Sequence, residues 1–244
     1  MINKPYLFFS KNYLKTSAYG DGESTSDLQK LYDNDVNTIL QTGGLPYEKT
    51  IFFTDNFGNI VNRTFDTLII LNTNVKSLTI SAADNKGVYT PVIALTNNTE
   101  KNVFKNVESK ITTSSIKIAI TEADAPYAEI GELKICNFLL GLCALTNSKE
   151  SKDCNAESFR TASGRLIHYK DFSKWNNGLE MDNLSKVHFD ILTEEIKTEE
   201  ELIIAPYLDF EIKAVYECYV NPEITYDIDR KTGLYKLSVD AEEL

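Results

Sequence analysis

The segment Ser114 to Thr121, SSIKIAIT, sets Ile116, Ile118 and Ile120 against Ser115, Lys117, Ala119 and Thr121. A period of two belongs to a strand with one buried face, not to the 3.6-residue stripe of a helix. The pattern recurs through the first half. Thr50 to Phe57 runs into the turn pair Gly58-Asn59, and Phe65–Leu71 and Ser77–Ala82 read as strands joined at Asn72-Thr73-Asn74. In YAEIGELKI, Ile130, Leu133 and Ile135 are candidate core residues. Short strands, polar turns and little helical periodicity predict an antiparallel β-sandwich. A short helix is expected at TSDLQKLYD, capped by Thr25 or Ser26, with Leu28, Leu31 and Tyr32 on one face.

The pattern breaks at Thr146 to Glu157, TNSKESKDCNAE, a polar stretch that reads as a linker. Beyond it, SGRLIHYKDF and LSKVHFDILT read as strands, and Asn176-Asn177-Gly178 as a turn. TEEIKTEEELIIAPYL reads as a helix with Thr198 and Glu201 as a capping box and Pro206 near its end. A strand follows in DFEIKAVYECYV, and two more flank Arg230-Lys231-Thr232-Gly233. The predicted fold class is mostly β. Residues 1–145 form a sandwich, 146–157 a linker, and 158–244 a smaller β-rich α+β domain with one helix.

Composition narrows the function. A chain of 244 residues can bury a sizeable core, and a net charge of −11 argues against a nucleic-acid partner. The longest nearly unbroken apolar run, FLLGLCAL at Phe138 to Leu145, is far shorter than the ~20 residues of a membrane span. The N-terminal apolar patch is too short for a secretory signal, so synthesis in the cytoplasm without a signal peptide is expected. Cys136, Cys143, Cys154 and Cys218 form no C-x-x-C pair and are expected as free thiols. His168 and His188 do not have the spacing of a zinc pair. ASGRL lacks the second glycine of a nucleophile elbow, and QTGGLPYEK lacks the G-K-[ST] of a phosphate loop. No enzymatic activity is expected.

The segment Leu31 to Leu40, LYDNDVNTIL, concentrates Asp33, Asp35 and Thr38. Such oxygens on a tight loop suit either a solvated turn or a hard cation. The segment resembles the signature loop of discoidin-type (coagulation factor 5/8 type C) domains and their carbohydrate-binding relatives. In that pattern, Asp-Gly-Asp-x-x-Thr-x-Trp follows a first short helix. The likeness extends to AEIGELKI, similar to the closing strand of that fold, and covers about residues 5 to 140. It implies a discoidin-like, galactose-binding-like jelly roll, and it implies calcium held by Asp33, Asp35, Thr38 and Glu132. Asn34 stands where the pattern has glycine, and Leu40 where it has tryptophan. No other cofactor is expected.

The layout also resembles tail-associated proteins of phage-like particles, in YLFFSKNYL, SGRLIHYKDFSKW, ILTEEIKTEEELI and LYKLSVDAEEL. That likeness implies a non-enzymatic structural or accessory role in a virion or phage-like particle, through oligomeric assembly with other particle subunits. Tyr169, Phe172 and Trp175 are then the candidate interaction residues. The alternative is a carbohydrate-binding module that attaches to a glycan, with calcium under its loops. Tyr19, Tyr47, Phe57, Tyr89 and Trp175 lie beside turn residues, and Tyr19, Tyr47 and Tyr89 are the candidate ligand-binding side chains.

Overall fold

The computed structural model describes residues 4–20, 28–144, 151–160, 166–199, 201–208, 211–212 and 215–244. The chain divides into two compact units, Lys11–Phe138 and Met1–Ser10 together with Leu139–Leu244. The first strand is β1 (Lys4–Phe9), followed by a 3₁₀ turn at Tyr13–Thr16. Next come β2 (Ser17–Tyr19), β3 (Leu40–Gln41), β4 (Tyr47–Phe53), β5 (Arg63–Thr73) and β6 (Val75–Ala83). They are followed by β7 (Tyr89–Leu95), β8 (Val103–Thr113), β9 (Ser115–Ala123) and β10 (Glu129–Cys136). Then come β11 (Phe138–Ala144), β12 (Ser151–Arg160), β13 (Leu166–Leu184) and the helix α1 (Lys186–Glu199). The chain closes with β14 (Glu201–Leu208), β15 (Glu211–Ile212), β16 (Tyr216–Val220), β17 (Thr225–Ile228) and β18 (Tyr235–Glu243).

The unit Lys11–Phe138 is the antiparallel sandwich that the alternation predicts. One sheet has the order β3-β10-β5-β8 and the other β2-β4-β9-β6-β7. From β4 to β10 the chain passes repeatedly between the two sheets, in the manner of a jelly roll. Ile116, Ile118 and Ile120 are buried in the shared core with Leu68, Ile70, Leu133 and Ile135. Each such side chain contributes about 1.5–3 kcal/mol when fully buried. Phe53 on β4 and Phe65 on β5 meet edge to face across the two sheets, with ring centroids 6.2 Å apart. Tyr13 meets Phe53 in the same way at 6.4 Å, which fastens the 3₁₀ turn to the core. Leu28 and Gln29 are helical, and Leu28 and Leu31 are buried in this core with Tyr32 packed against it. Thr25 and Ser26 lie outside the described residues.

The other unit is a sheet of order β11-β1-β14-β16-β18-β13-β12, with β15 on β14 and β17 on β18. The helix α1 packs against β14, β13 and β18. Tyr6, Phe8, Leu179, Met181, Leu192, Ile196, Leu237 and Val239 belong to its core.

Several boundaries differ from the sequence reading. The first ten residues belong with the C-terminal half, because Tyr6 and Phe8 alternate into that core and β1 pairs with β14 from Tyr6↔Pro206 to Phe9↔Ile203. The expected linker carries β12 from Ser151 onward, paired with β13. Asn176-Asn177-Gly178 is not a turn, since β13 continues through it opposite Glu242, Ala241 and Asp240 of β18. The helix lies at Lys186–Glu199, where LSKVHFDILT read as a strand. Ser185 starts it, with its hydroxyl accepting from His188 N at 3.2 Å and its carbonyl from Phe189 N at 3.0 Å. Leu192 and Ile196, one helical turn apart, are its buried stripe. Residues 201–208 are strand instead of helix, so Thr198 and Glu201 form no capping box.

Candidate functional site

The segment Leu31–Leu40 is a corner laid against β10. Leu133 N donates to Leu31 O at 2.8 Å, and Leu40 pairs with Ile130. Between these anchors the loop needs local donors and acceptors. Asp33 Oδ1 accepts from Asp35 N at 3.0 Å, and Asp35 Oδ1 accepts from Asn37 N and Asn37 Nδ2 at 2.9 Å each. Thr38 Oγ1 donates to Asp35 Oδ2 at 3.3 Å. Hydrogen bonds from the Asn37 backbone and side chain hold the Asp35 carboxyl below its ordinary range. Asn34, at φ 63°, takes the left-handed conformation that asparagine tolerates in place of glycine. Leu40 is buried in the sandwich core.

Gly131 makes this close approach possible. A Cβ there would lie 2.5 Å from Val36 O and 3.1 Å from Leu71 O, both backbone atoms. Asn72 completes the brace, with Nδ2 donating to Val36 O at 2.8 Å. Gly131→Ala is therefore expected to lower stability by about 1–3 kcal/mol, seen as a lower urea midpoint.

Period two places Glu132 and Lys134 on one face of β10, opposite Leu133 and Ile135. Their relative exposures are 1% and 2%, and Lys134 Nζ lies 2.9 Å from Glu132 Oε2. The same ammonium reaches Asn34 Oδ1 at 3.5 Å, at the limit of hydrogen bonding. Of the four residues assigned to calcium by resemblance, Asp33, Asp35 and Thr38 thus bond within the loop, and Glu132 bonds to an ammonium. Among the described residues, no group of three or more His, Cys, Asp or Glu side chains is placed to hold a metal ion. Sequence reasoning passed over Lys134 and Gly131. The signal for both was in E-I-G-E-L-K: a residue without a side chain facing a loop, then two opposite charges at i and i+2.

Of the candidate ligand tyrosines, Tyr47 and Tyr89 do not converge. Tyr47 packs on the sandwich core opposite Ile120 of β9. The Tyr89 hydroxyl is 3.0 Å from Ser115 Oγ, and Lys117 Nζ sits 5.1 Å from its ring centroid. Ser115 and Ile120 are separated by about 16 Å along β9 at the rise of an extended chain. Tyr19 is in β2 opposite Ile51, and Tyr169, Phe172 and Trp175 are in β13 opposite Glu157, Asn155 and Lys152. The side chains of these four lie outside the described part of the structure.

A different aromatic is presented to solvent. Two hairpin turns, Asp55-Asn56-Phe57-Gly58-Asn59 and Asp84-Asn85-Lys86-Gly87-Val88, share one construction. Asp55 Oδ1 accepts from Phe57 N and Asn59 N at 2.9 Å each, and Asp84 Oδ1 accepts from Lys86 N at 2.8 Å and Val88 N at 2.9 Å. Gly58 and Gly87 supply the left-handed residue at φ 83° and 78°. The turns follow β4 and β6, which flank β9 with Phe52 opposite Ser115 and Ala82 opposite Ile116. They therefore leave one end of the sheet two strand spacings apart, about 10 Å. Phe57 is 90% exposed there, with Ile60 at 59% and Val88 at 58%.

No protein-family model matches the chain, and no curated protein sequence matches it. Among solved structures, it is similar to the family 32 carbohydrate-binding module of Clostridium perfringens NanJ, described in complex with galactose. That pair shows 20% identity and a TM-score of 0.42 over 53% of this chain and 99% of the other. It is also similar to the family 32 module of Streptococcus pneumoniae EndoD, at 12% identity and a TM-score of 0.43 over 52% and 99%. A third is module CBM32-1 of a family 31 glycoside hydrolase from Clostridium perfringens, at 17% identity and a TM-score of 0.41 over 52% and 99%.

Proposed function

We propose that the sandwich of residues 11–138 is a binding module that takes a carbohydrate at the sheet end carrying the two matched turns. The observation behind this reading is the exposure of Phe57 on a turn fixed by Asp55. An aromatic ring held out in water is a loss that a ligand recovers by covering it, by about 1.5–3 kcal/mol for a fully buried side chain. The CH face of a pyranose is such a ligand, because it offers a flat apolar surface edged by hydroxyls. On the two turns, the exposed Asn56, Asn85 and Lys86 offer amide and ammonium groups to those hydroxyls. The turn is already ordered by side-chain hydrogen bonds, so binding would cost little further conformational freedom. The resemblance of LYDNDVNTIL and AEIGELKI to discoidin-type and carbohydrate-binding domains points to the same ligand class. The particle-assembly role has no observation behind it in this fold, and the binding reading replaces it.

A glycan array followed by calorimetry tests the proposal. Wild-type protein is expected to bind at least one glycan at millimolar or tighter affinity. Phe57→Ala is expected to weaken that binding by about tenfold or more, which corresponds to about 1.4 kcal/mol. Absence of glycan binding by the wild type overturns the function. Binding that survives Phe57→Ala unchanged moves the site elsewhere.

A further inference from the structure

We infer that the ammonium of Lys134 supplies, from within the chain, the positive charge that the resemblance assigns to calcium, and that this corner is consequently independent of metal. The inference stands apart from the glycan proposal, since it concerns the Asp33–Thr38 corner and not the Phe57 turn. Its basis is the position of one buried cation. Lys134 Nζ joins Glu132 Oε2 of β10, at 2.9 Å, to Asn34 Oδ1 of the loop, at 3.5 Å. A bridging metal would make the same connection between strand and loop. Both members of the ion pair are buried, and a buried carboxylate requires a compensating charge, which here is covalently present.

The remaining donors do not favour a second cation. Calcium takes six to eight oxygens, whereas the Asp33 and Asp35 carboxylates already accept loop N–H groups and the Thr38 hydroxyl. A divalent ion on Glu132 would also stand beside an ammonium that shares its carboxylate. Repulsion between like charges in a poorly solvated site is far stronger than in water. The loop needs no ion for its shape either, because Asn72 and the Gly131 contact already fix it against β10.

The test compares thermal melting of the full chain in EDTA and in millimolar calcium, for wild type and for Lys134→Ala. Wild-type melting is expected to be the same in both. Lys134→Ala, which removes the ammonium beside the Glu132 carboxylate, is expected to melt lower in EDTA and to regain about 5 °C or more in calcium. A calcium-dependent rise in wild-type melting overturns the inference, as does a folded Lys134→Ala that ignores calcium. Calorimetric titration of the wild type with calcium decides independently of whether the variant folds. Heatless titration supports the internal cation, and saturable binding that is lost in Glu132→Gln overturns it.

Discussion

Glu132→Gln is expected to lower the stability of the sandwich by about 3–5 kcal/mol, because it removes the carboxylate from a buried ion pair and leaves the ammonium of Lys134 in place. The effect is large because the two partners are almost wholly shielded from water, with side-chain exposures of 1% and 2%. An exposed pair such as Lys186–Asp190 on α1 contributes far less, because water screens both charges. Urea unfolding followed by backbone circular dichroism checks the expectation. Tryptophan fluorescence would miss it, since Trp175 is the only tryptophan and belongs to the other unit. A double variant, Glu132→Leu with Lys134→Met, should recover most of the loss, because neither charge of the pair is then left buried without the other. A neutral Glu132→Gln would mean that the pair holds nothing together.

Phe53→Ala is expected to cost a comparable ~3–5 kcal/mol for a different reason. The ring is completely buried between the sheets and touches Phe65 on one side and Tyr13 on the other. Its removal leaves a cavity bounded by both sheets, and the edge-to-face contacts worth about 0.5–1.5 kcal/mol each are lost with it. The same unfolding experiment should show a large fall in midpoint with an unchanged slope. Phe53→Leu should lose clearly less, because it refills part of the volume.

The sandwich was legible because its strands are half-buried and antiparallel, so alternation is printed directly in Ile116, Ile118 and Ile120. The hairpin turns were legible through Gly58 and Gly233, whose positive φ no β-branched residue would tolerate. The C-terminal helix was not, because Val187, Phe189 and Ile191 mimic a strand while the true stripe, Leu192 and Ile196, is short. Val187 is exposed in the structure, so one of the residues that suggested the strand faces water. At the corner, the aspartates and threonine could be picked out from their spacing, but their partners could not. Lys134 looks like an outward-facing polar residue of a strand, and only the burial of its ammonium beside Glu132 gives it a role. Phe57 was passed over for the tyrosines because proximity to a turn says nothing about which way a ring faces.

The pairing of β1 beside β11 and β14 also decides how this chain can be taken apart. Residues 11–138 are inserted into the other unit's sequence, entered after one strand of a sheet and left just before its lateral neighbour. A single cut near residue 145 would not release two whole modules. It would take β1 and β11 away together from one end of that sheet and leave β14 with a raw edge, open to pairing with another chain. Clean dissection requires excising the middle and rejoining Ser10 to Leu139, a splice between adjacent strands of the same sheet.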